Sequence, residues 1–455
     1  MVKKIAVLGS GESGTGAALL AKQVGYEVFV SDMGTIADKY KAKLDKAGIA
    51  YEEGKHTEKL ILDAIEIIKS PGIDPKKSDI IQKAKKNKIK IIGEIEFAGR
   101  YTDAKKICIT GTDGKTTTTT LTYHLLKEAG LNVQLAGNVG NSFAELVALE
   151  LQGSMQKADY YVLEVSSFML DDMYKFKADI GVITNITPDH LDRYENKMEK
   201  YVDSKFRILQ NMDEKCYFIY GIDSEFIEER LPDVETDAIE LPFSVFPDEF
   251  DGACGVEKES ISIQIDNKET EIDISKVENI RGEHNLYNMM AASLVATVVG
   301  IDKNTIEKGL VSYTPPAHRQ EYCGTINGIK FINDSKATTV GAASVALKTF
   351  TEPLIWIAGG KDKGNNYKEI SRLVKGHVKA LICLGVDNEK LRAAFEGIIP
   401  VIKETQNVDE CVEMCIALGK EGDVALLSPA CASFDLFKNF EDRGDQFKAA
   451  VKKRM

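Results

Sequence analysis

No stretch of this 455-residue chain reaches the roughly 18 consecutive apolar residues that a membrane span needs, so no membrane insertion is expected. A long basic stripe is also missing. Its 58 Lys and Arg are outnumbered by 70 Asp and Glu, a formal net charge of -12, which argues against binding a nucleic-acid backbone. No CxxC pair occurs; the eight cysteines are scattered, with only Cys411 and Cys415 close together, the usage of a reduced cytoplasmic protein. At the start, MVKKIAVLGSGESG is broken by glycines and Glu12 before a signal-peptide core could form. No repeat of fixed period appears, and the one low-complexity run is a string of threonines.

What the chain does have is enough apolar residue, 44%, for several packed cores; at roughly 150 residues per domain, its length predicts about three. Polar or glycine-rich groups repeatedly follow the C-terminal ends of apolar strands, where open parallel sheets place ligands, so the predicted class is α/β. Boundaries are expected near residues 95 and 315, giving segments 1–95, 96–314 and 315–455. Within the second, 213–280 reads as a β-rich insertion or sheet edge. The stretch IKIIGEIEFA, closing the first segment, reads as strand.

Two phosphate-binding patterns stand out. KKIAVLGSGESGTGAALLAKQVGYEVFVSD reads as strand, turn, helix and strand. Gly9, Gly11 and Gly14 fit GxGxxG, and Asp32 lies at the spacing where an acid meets a ribose, a pattern that alone suggests NAD. Glu12 inside that turn would repel phosphate unless it points outward. IIKSPGID, with Ser70 and Pro71, is predicted to loop over the same face.

The second pattern is TGTDGKT, residues 110–116. A full GxxxxGK[ST] is not met, because its first glycine would fall on Ile109. The chemistry is nevertheless complete: Gly111 and Gly114 let backbone N–H groups ring a phosphate, the following helix adds its dipole, Lys115 adds charge, and the Thr116 hydroxyl can sit on Mg2+. LEVSSF offers Glu164, Ser166 and Ser167 at one strand end, and NITPDHLDRY offers Asp189 and His190 at another. Lys205 follows in DSKFRI, where it reads by itself as an ordinary surface lysine.

In this order, TGTDGKTTTT, LEVSSF, NITPDHLDRY, SKFRI, GEHNLYNMMAA, AHRQE, INDSKAT and LLSPACASFDLFKNFEDRG resemble the Mur ligase family over nearly the whole chain. The resemblance implies three domains: a Rossmann-like N-terminal domain binding a UDP-sugar, a central P-loop ATPase-type domain, and a C-terminal Rossmann-like domain binding an amino acid. It implies an ATP-dependent amide ligase of peptidoglycan precursor synthesis, cytoplasmic and monomeric, that adds D-glutamate to UDP-N-acetylmuramoyl-L-alanine. The SSF triplet with Phe168 and the SPACASFDLFKNFEDRG ending favour D-glutamate over other amino acids.

The resemblance also implies residue roles. Gly111, Thr112, Asp113, Gly114, Lys115, Thr116, Thr117, Asn285, Asn288, Arg319 and Asp334 would contact ATP. Thr116, Glu164, His190 and a carbamylated Lys205 would hold Mg2+, and Lys115, Glu164, His190 and Lys205 would serve catalysis. Ser13, Gly14, Asp32 and Ser70 are reassigned to diphosphate and uridine, and Asn138 and Ser166 are expected to contact the substrate. Lys336, Thr338, Lys363, Ser433 and Phe440 fall where the D-glutamate site is expected.

Overall fold

The computed structural model describes residues 3–246, 251–256, 259–278, 280, 282–362 and 364–455. The chain forms two compact units, Met1–Val277 with Asn285–Tyr313, and Glu278–His284 with Thr314–Met455. Among the described residues no helix is long and apolar enough to cross a membrane.

The first unit holds two sheets. One comprises β1 (Lys4–Leu8), β2 (Glu27–Asp32), β3 (Ala50–Glu53), β4 (Glu66–Lys69) and β5 (Lys90–Ile92), all parallel in the order β3-β2-β1-β4-β5. The order reverses between β1 and β4, which opens a ligand crevice beyond their C-terminal ends. The other sheet comprises β6 (Lys105–Thr110), β7 (Val133–Gly137), β8 (Tyr160–Glu164), β9 (Ile180–Ile183), β10 (Tyr217–Gly221), β11 (Ile239–Ser244), β12 (Gly252–Val256), β13 (Ser260–Ile265) and β14 (Lys268–Asp273). Their order is β14-β13-β12-β11-β10-β9-β6-β8-β7, parallel from β7 to β12 and antiparallel beyond. Strands β10 to β14 are the expected β-rich sheet edge. The central β6 runs Ile107, Cys108, Ile109 without exposure, the uninterrupted apolar pattern of a parallel strand covered on both faces.

These two sheets share one apolar core. The helix Glu12–Gln23 packs on the helix Phe143–Leu151. Gly16 permits that approach, since a Cβ there would lie 2.0 Å from Ser142 Oγ. Only Lys90–Ile92 of IKIIGEIEFA is strand; after Gly93 the chain turns into a short helix, Glu94–Ala98. That turn aims two buried carboxylates at the second sheet. Glu94 Oε1 accepts from Ser142 Oγ and Ala144 N, each at 2.7 Å. Glu96 Oε2 accepts from the N–H groups of Tyr174, Lys175 and Phe176 at 3.0, 3.0 and 2.8 Å.

The second unit is built on β15 (Glu321–Ile326), β16 (Ile329–Asn333), β17 (Leu354–Ala358), β18 (Val378–Leu384), β19 (Val401–Thr405) and β20 (Val424–Leu427). The order is β15-β16-β20-β17-β18-β19, with β15 antiparallel and the rest parallel. Helices cover both faces in apolar layers.

Candidate active site

Strand β6 delivers the TGTDGKT loop between the ends of β8 and β9, because Ile109 pairs with Glu164 and Thr110 with Ile183. Two glycines make the turn possible. Gly111 has φ +143° and a Cβ there would meet Thr184 Oγ1 at 1.9 Å; Gly114 has φ +79° and a Cβ would meet Asn288 Oδ1 at 2.4 Å. The loop is latched to the end of β9. Thr112 N donates to Asn185 O and Asp113 N to Asn185 Oδ1, both at 2.9 Å, while Thr184 Oγ1 donates to Asp113 O at 2.6 Å. The helix Lys115–Glu128 then starts without a side-chain cap, and the positive end of its dipole faces the loop. Thr116 and Thr117 lie in this first turn, Thr116 buried. Behind it, Asn288 accepts from Thr118 Oγ1 at 2.9 Å and donates to Asn285 Oδ1 at 3.0 Å, so the asparagine pair braces the helix start.

Two amines meet on one carbonyl. Lys115 Nζ donates to Gly111 O at 2.9 Å and Thr112 O at 2.7 Å, and Lys205 Nζ reaches the same Gly111 O at 2.6 Å. Lys205 is 1% exposed, so the surface reading of this residue is corrected: it lies on the apolar face of the helix Met198–Phe206 with Tyr201 and Val202. Burial, reinforced by the charge of Lys115, pushes its amine well below the ordinary lysine range, against the weaker pull of Asp189 and Asp113. The consequence is an amine that gives up its proton more readily than an ordinary lysine. Burial likewise raises Asp113 above the usual carboxylate range.

Glu164 is 1% exposed at the end of β8. Asn138 Nδ2 donates to its Oε1 at 2.7 Å, while Oε2 is buried with no hydrogen-bond partner among the described residues. A buried carboxylate oxygen left over in this way is a natural ligand for a hard cation. Ser166 caps the short helix Ser167–Leu170 by accepting from Met169 N. His190 is half-exposed, its backbone at φ +50°, its ring 3.5 Å from Asp189 and 5.1 Å from the Phe168 ring centroid. Among the described residues, no three His, Cys, Asp or Glu converge as a metal-holding group.

In the first sheet, the predicted loop approach is present: a Cβ on Gly9 (φ +88°) would lie 2.7 Å from Ser70 Oγ, and one on Gly14 would lie 1.8 Å from Gly9 O. Asp32 accepts from Ser10 N at 2.6 Å and Gly34 N at 2.7 Å. Glu12 accepts from Tyr40 OH at 2.9 Å. Ser13 and Pro71 line a small cavity with Glu94 and Met169.

In the second unit, Asp334 follows β16 and is buried, accepting from Ser428 Oγ at 3.0 Å; burial pushes its carboxyl up to about 7. Lys336 Nζ sits 5.3 Å from the Phe440 ring centroid, Ser433 is buried after β20, and Thr338 N bonds to Lys336 O at 2.8 Å. Arg319 contributes positive charge near Asp334. Lys363 lies outside the described residues.

Residues 4–79 match the MurD N-terminal domain, 109–296 the Mur ligase middle domain, and 318–431 the Mur ligase glutamate ligase domain. The chain is 50% identical to the UDP-N-acetylmuramoylalanine--D-glutamate ligase of Bacteroides thetaiotaomicron, over 99% of this chain and 100% of that one. The chain belongs to the Mur ligase family. The protein of the same name from Bacteroides fragilis is 49% identical, again over 99% and 100% of the two chains. In fold, this Mur ligase is similar to the UDP-N-acetylmuramate-alanine ligase MurC of Thermotoga maritima, with a TM-score of 0.61 at 18% identity and complete coverage of both chains. Ligases of this family depend on ATP.

Three cations of this Mur ligase escape a motif-based reading. Lys69, the last residue of β4, is 1% exposed and pairs with Asp172 at 2.7 Å. Arg193 donates to Pro71 O and Ile73 O and lies 4.0 Å from the Phe168 ring centroid. Arg443, 1% exposed, donates to Ser335 Oγ and O and to Cys431 O, tying together the ends of β16 and β20. Burial lowers its guanidinium to about 10. A signal for Arg443 was present: it shares a helical face with Phe447, Ala450 and Val451, at spacings of four, seven and eight.

Proposed function

We propose that this Mur ligase joins D-glutamate to the L-alanyl carboxylate of UDP-N-acetylmuramoyl-L-alanine at the cost of ATP, with the β6 loop as the phosphoryl-transfer site. The observation that carries the reading is the meeting of Lys115 and Lys205 on the Gly111 carbonyl, at a helix start without a side-chain cap and next to the end of β8, where a Glu164 oxygen has no hydrogen-bond partner among the described residues. The choice of amino acid rests on the near-full-length likeness to the D-glutamate ligases of the two Bacteroides species.

ATP supplies the phosphoryl group that turns the carboxylate into an acyl phosphate, and Mg2+ supplies positive charge to the phosphate oxygens. The first N–H groups of the Lys115–Glu128 helix receive the phosphates. Lys115 leaves the Gly111 and Thr112 carbonyls to follow the charge that develops on the transferred oxygens. Glu164 Oε2, held in place by Asn138 on its other oxygen, would ligate the metal together with Thr116, His190 and Lys205. For Lys205 to join that set it must become anionic. A neutral amine adds to CO2, loses a proton and becomes a carbamate, and a depressed lysine is the group for which this addition is favourable. The amine of D-glutamate then attacks the activated carbonyl, loses its proton, and inorganic phosphate leaves.

We assign residues 1–95 to the UDP-sugar, 96–314 to ATP and 315–455 to D-glutamate. Ser13, Gly14, Asp32 and Ser70 serve the nucleotide sugar, and Lys336, Thr338, Ser433 and Phe440 the amino acid. Eight free cysteines support a cytoplasmic location. The test is ADP release with UDP-N-acetylmuramoyl-L-alanine and Mg-ATP, comparing D-glutamate with L-glutamate, L-lysine and meso-diaminopimelate. Release with D-glutamate alone is expected; release with a diamino acid instead would overturn the substrate while leaving the ATP site intact.

A further inference from the structure

A lysine that ends a parallel strand at 1% exposure is costly unless something requires it there. Lys69 meets that description, and its surroundings show what it holds. Its Nζ lies 2.7 Å from Asp172 Oδ2 and 3.3 Å from each of Ser70 O and Ile73 O. Arg193 Nη2 reaches Pro71 O at 3.0 Å and Ile73 O at 3.1 Å. The carbonyls of Ser70, Pro71 and Ile73 are thus all fixed by two cations, one from β4 and one from the segment after His190. On its other side the same loop presses Ser70 against the Gly9 turn. Asp172, the counter-charge, lies two residues past the Ser167–Leu170 helix, which itself starts three residues past Glu164. Ser13, Lys69, Pro71, Met169 and Asp172 line the small cavity at this junction.

We propose that Lys69, through its ion pair with Asp172, is a positioning residue for the UDP-sugar: it fixes the Ser70–Ile73 loop relative to the segment bearing Glu164. The proposal rests on the reading of the β1 and β4 loops as the UDP-sugar site. Buried ion pairs are poor stabilisers compared with well-packed apolar residues, so stability alone is a weak reason for this one. Placement is the better reason. A nucleotide anchored at the Gly9 and Ser70 loops must deliver its peptide carboxylate to the phosphate loop, and the pair ties the Ser70–Ile73 loop to the segment that follows β8, whose last residue Glu164 pairs in register with Ile109 of β6.

The experiment uses the full-length protein and two variants, Lys69→Met and the double Lys69→Met/Asp172→Leu, which removes the pair without leaving a buried charge. Turnover is measured against UDP-N-acetylmuramoyl-L-alanine, ATP and D-glutamate separately, and Tm is recorded for each protein. The expected result is a KM for the UDP-sugar raised about tenfold in both variants, with kcat and the other two KM values within about twofold of the parent. The double variant is expected to recover most of the Tm lost in the single one; if the single variant does not fold, the double variant decides. A double variant whose UDP-sugar KM returns to within about twofold of the parent would overturn the proposal, as would a parallel rise of all three KM values. No turnover in the unmodified protein would instead remove the functional reading beneath it.

Discussion

The turns after β1 and β6 share one grammar, strand, glycines, helix, yet their charges are arranged in opposite ways. After β1, the acids are engaged locally: Asp32 accepts from Ser10 and Gly34 N–H groups, and Glu12 turns outward to Tyr40. After β6, two lysines crowd a single carbonyl, and the carboxylate at the end of the adjacent β8 has an oxygen with no hydrogen-bond partner among the described residues. Backbone N–H groups and shape suffice to hold a diphosphate, whereas moving a phosphoryl group needs a mobile cation aimed at developing charge, the role proposed for Lys115, and ligands for a metal, the role proposed for Glu164 and Lys205. This contrast supports the proposal that the first turn binds and the second carries the chemistry.

The sharpest way to break that assignment is to put a Cβ on each turn. Gly114→Ala places a methyl 2.4 Å from Asn288 Oδ1 at a positive φ, and it is expected to cut ADP formation by about 10²-fold to 10³-fold while UDP-sugar affinity holds. Stopped-assay ADP measurement and calorimetry check the two halves. Lys205→Ala comes next. It removes the proposed carbamate, and turnover should fall by about 10²-fold, with partial recovery on adding a short carboxylate such as acetate. No recovery and no 13C carbamate signal in the parent protein under 13CO2 would sink the carbamate while sparing the loop.

Gly9→Ala tests the other side. The new methyl would meet Ser70 Oγ at 2.7 Å, so the UDP-sugar KM should rise about tenfold with kcat nearly unchanged. The smallest effect concerns the weld between the two sheets. Burial raises Glu94 from 4.5 to about 6, so the folded state holds a proton that the unfolded chain has already released. Stability therefore falls as pH rises from about 4.5 to 6, by about 2 kcal/mol from this group, and the loss is complete above the folded value. Glu94→Gln should remove that component: relative to the parent, its Tm should rise by a few degrees at pH 8 and change little at pH 4.5.

Much of the chemistry was legible because it is local. TGTDGKT needs only its own glycines, lysine and following helix, and the structure builds it as a strand-to-helix turn. The strand ends bearing Glu164 and Asn185 could be read, though not that register would set them on either side of β6. What the sequence hid is long-range. Lys205 meets a carbonyl 94 residues away, and nothing near SKFRI names that partner. Its placement with Tyr201, four residues earlier on the buried helix face, was the available hint. Lys69 looks like the polar end of a strand until Asp172 is placed beside it. The edge strands β3, AYEE, and β19, VIKET, are half-polar because one side of each has no neighbouring strand, so they give a weak apolar signal. GEIEFA misled in the other direction: its alternation suggested strand, but Glu94 and Glu96 are buried polar anchors in a short helix.

The most direct test of the division of labour is Lys115→Ala, assayed for ADP release and titrated with UDP-N-acetylmuramoyl-L-alanine by calorimetry. The account predicts lost ADP formation with a sugar-nucleotide Kd within about twofold of the parent. A folded variant that no longer binds the sugar nucleotide, or one that still forms ADP at the parent's rate, would contradict it.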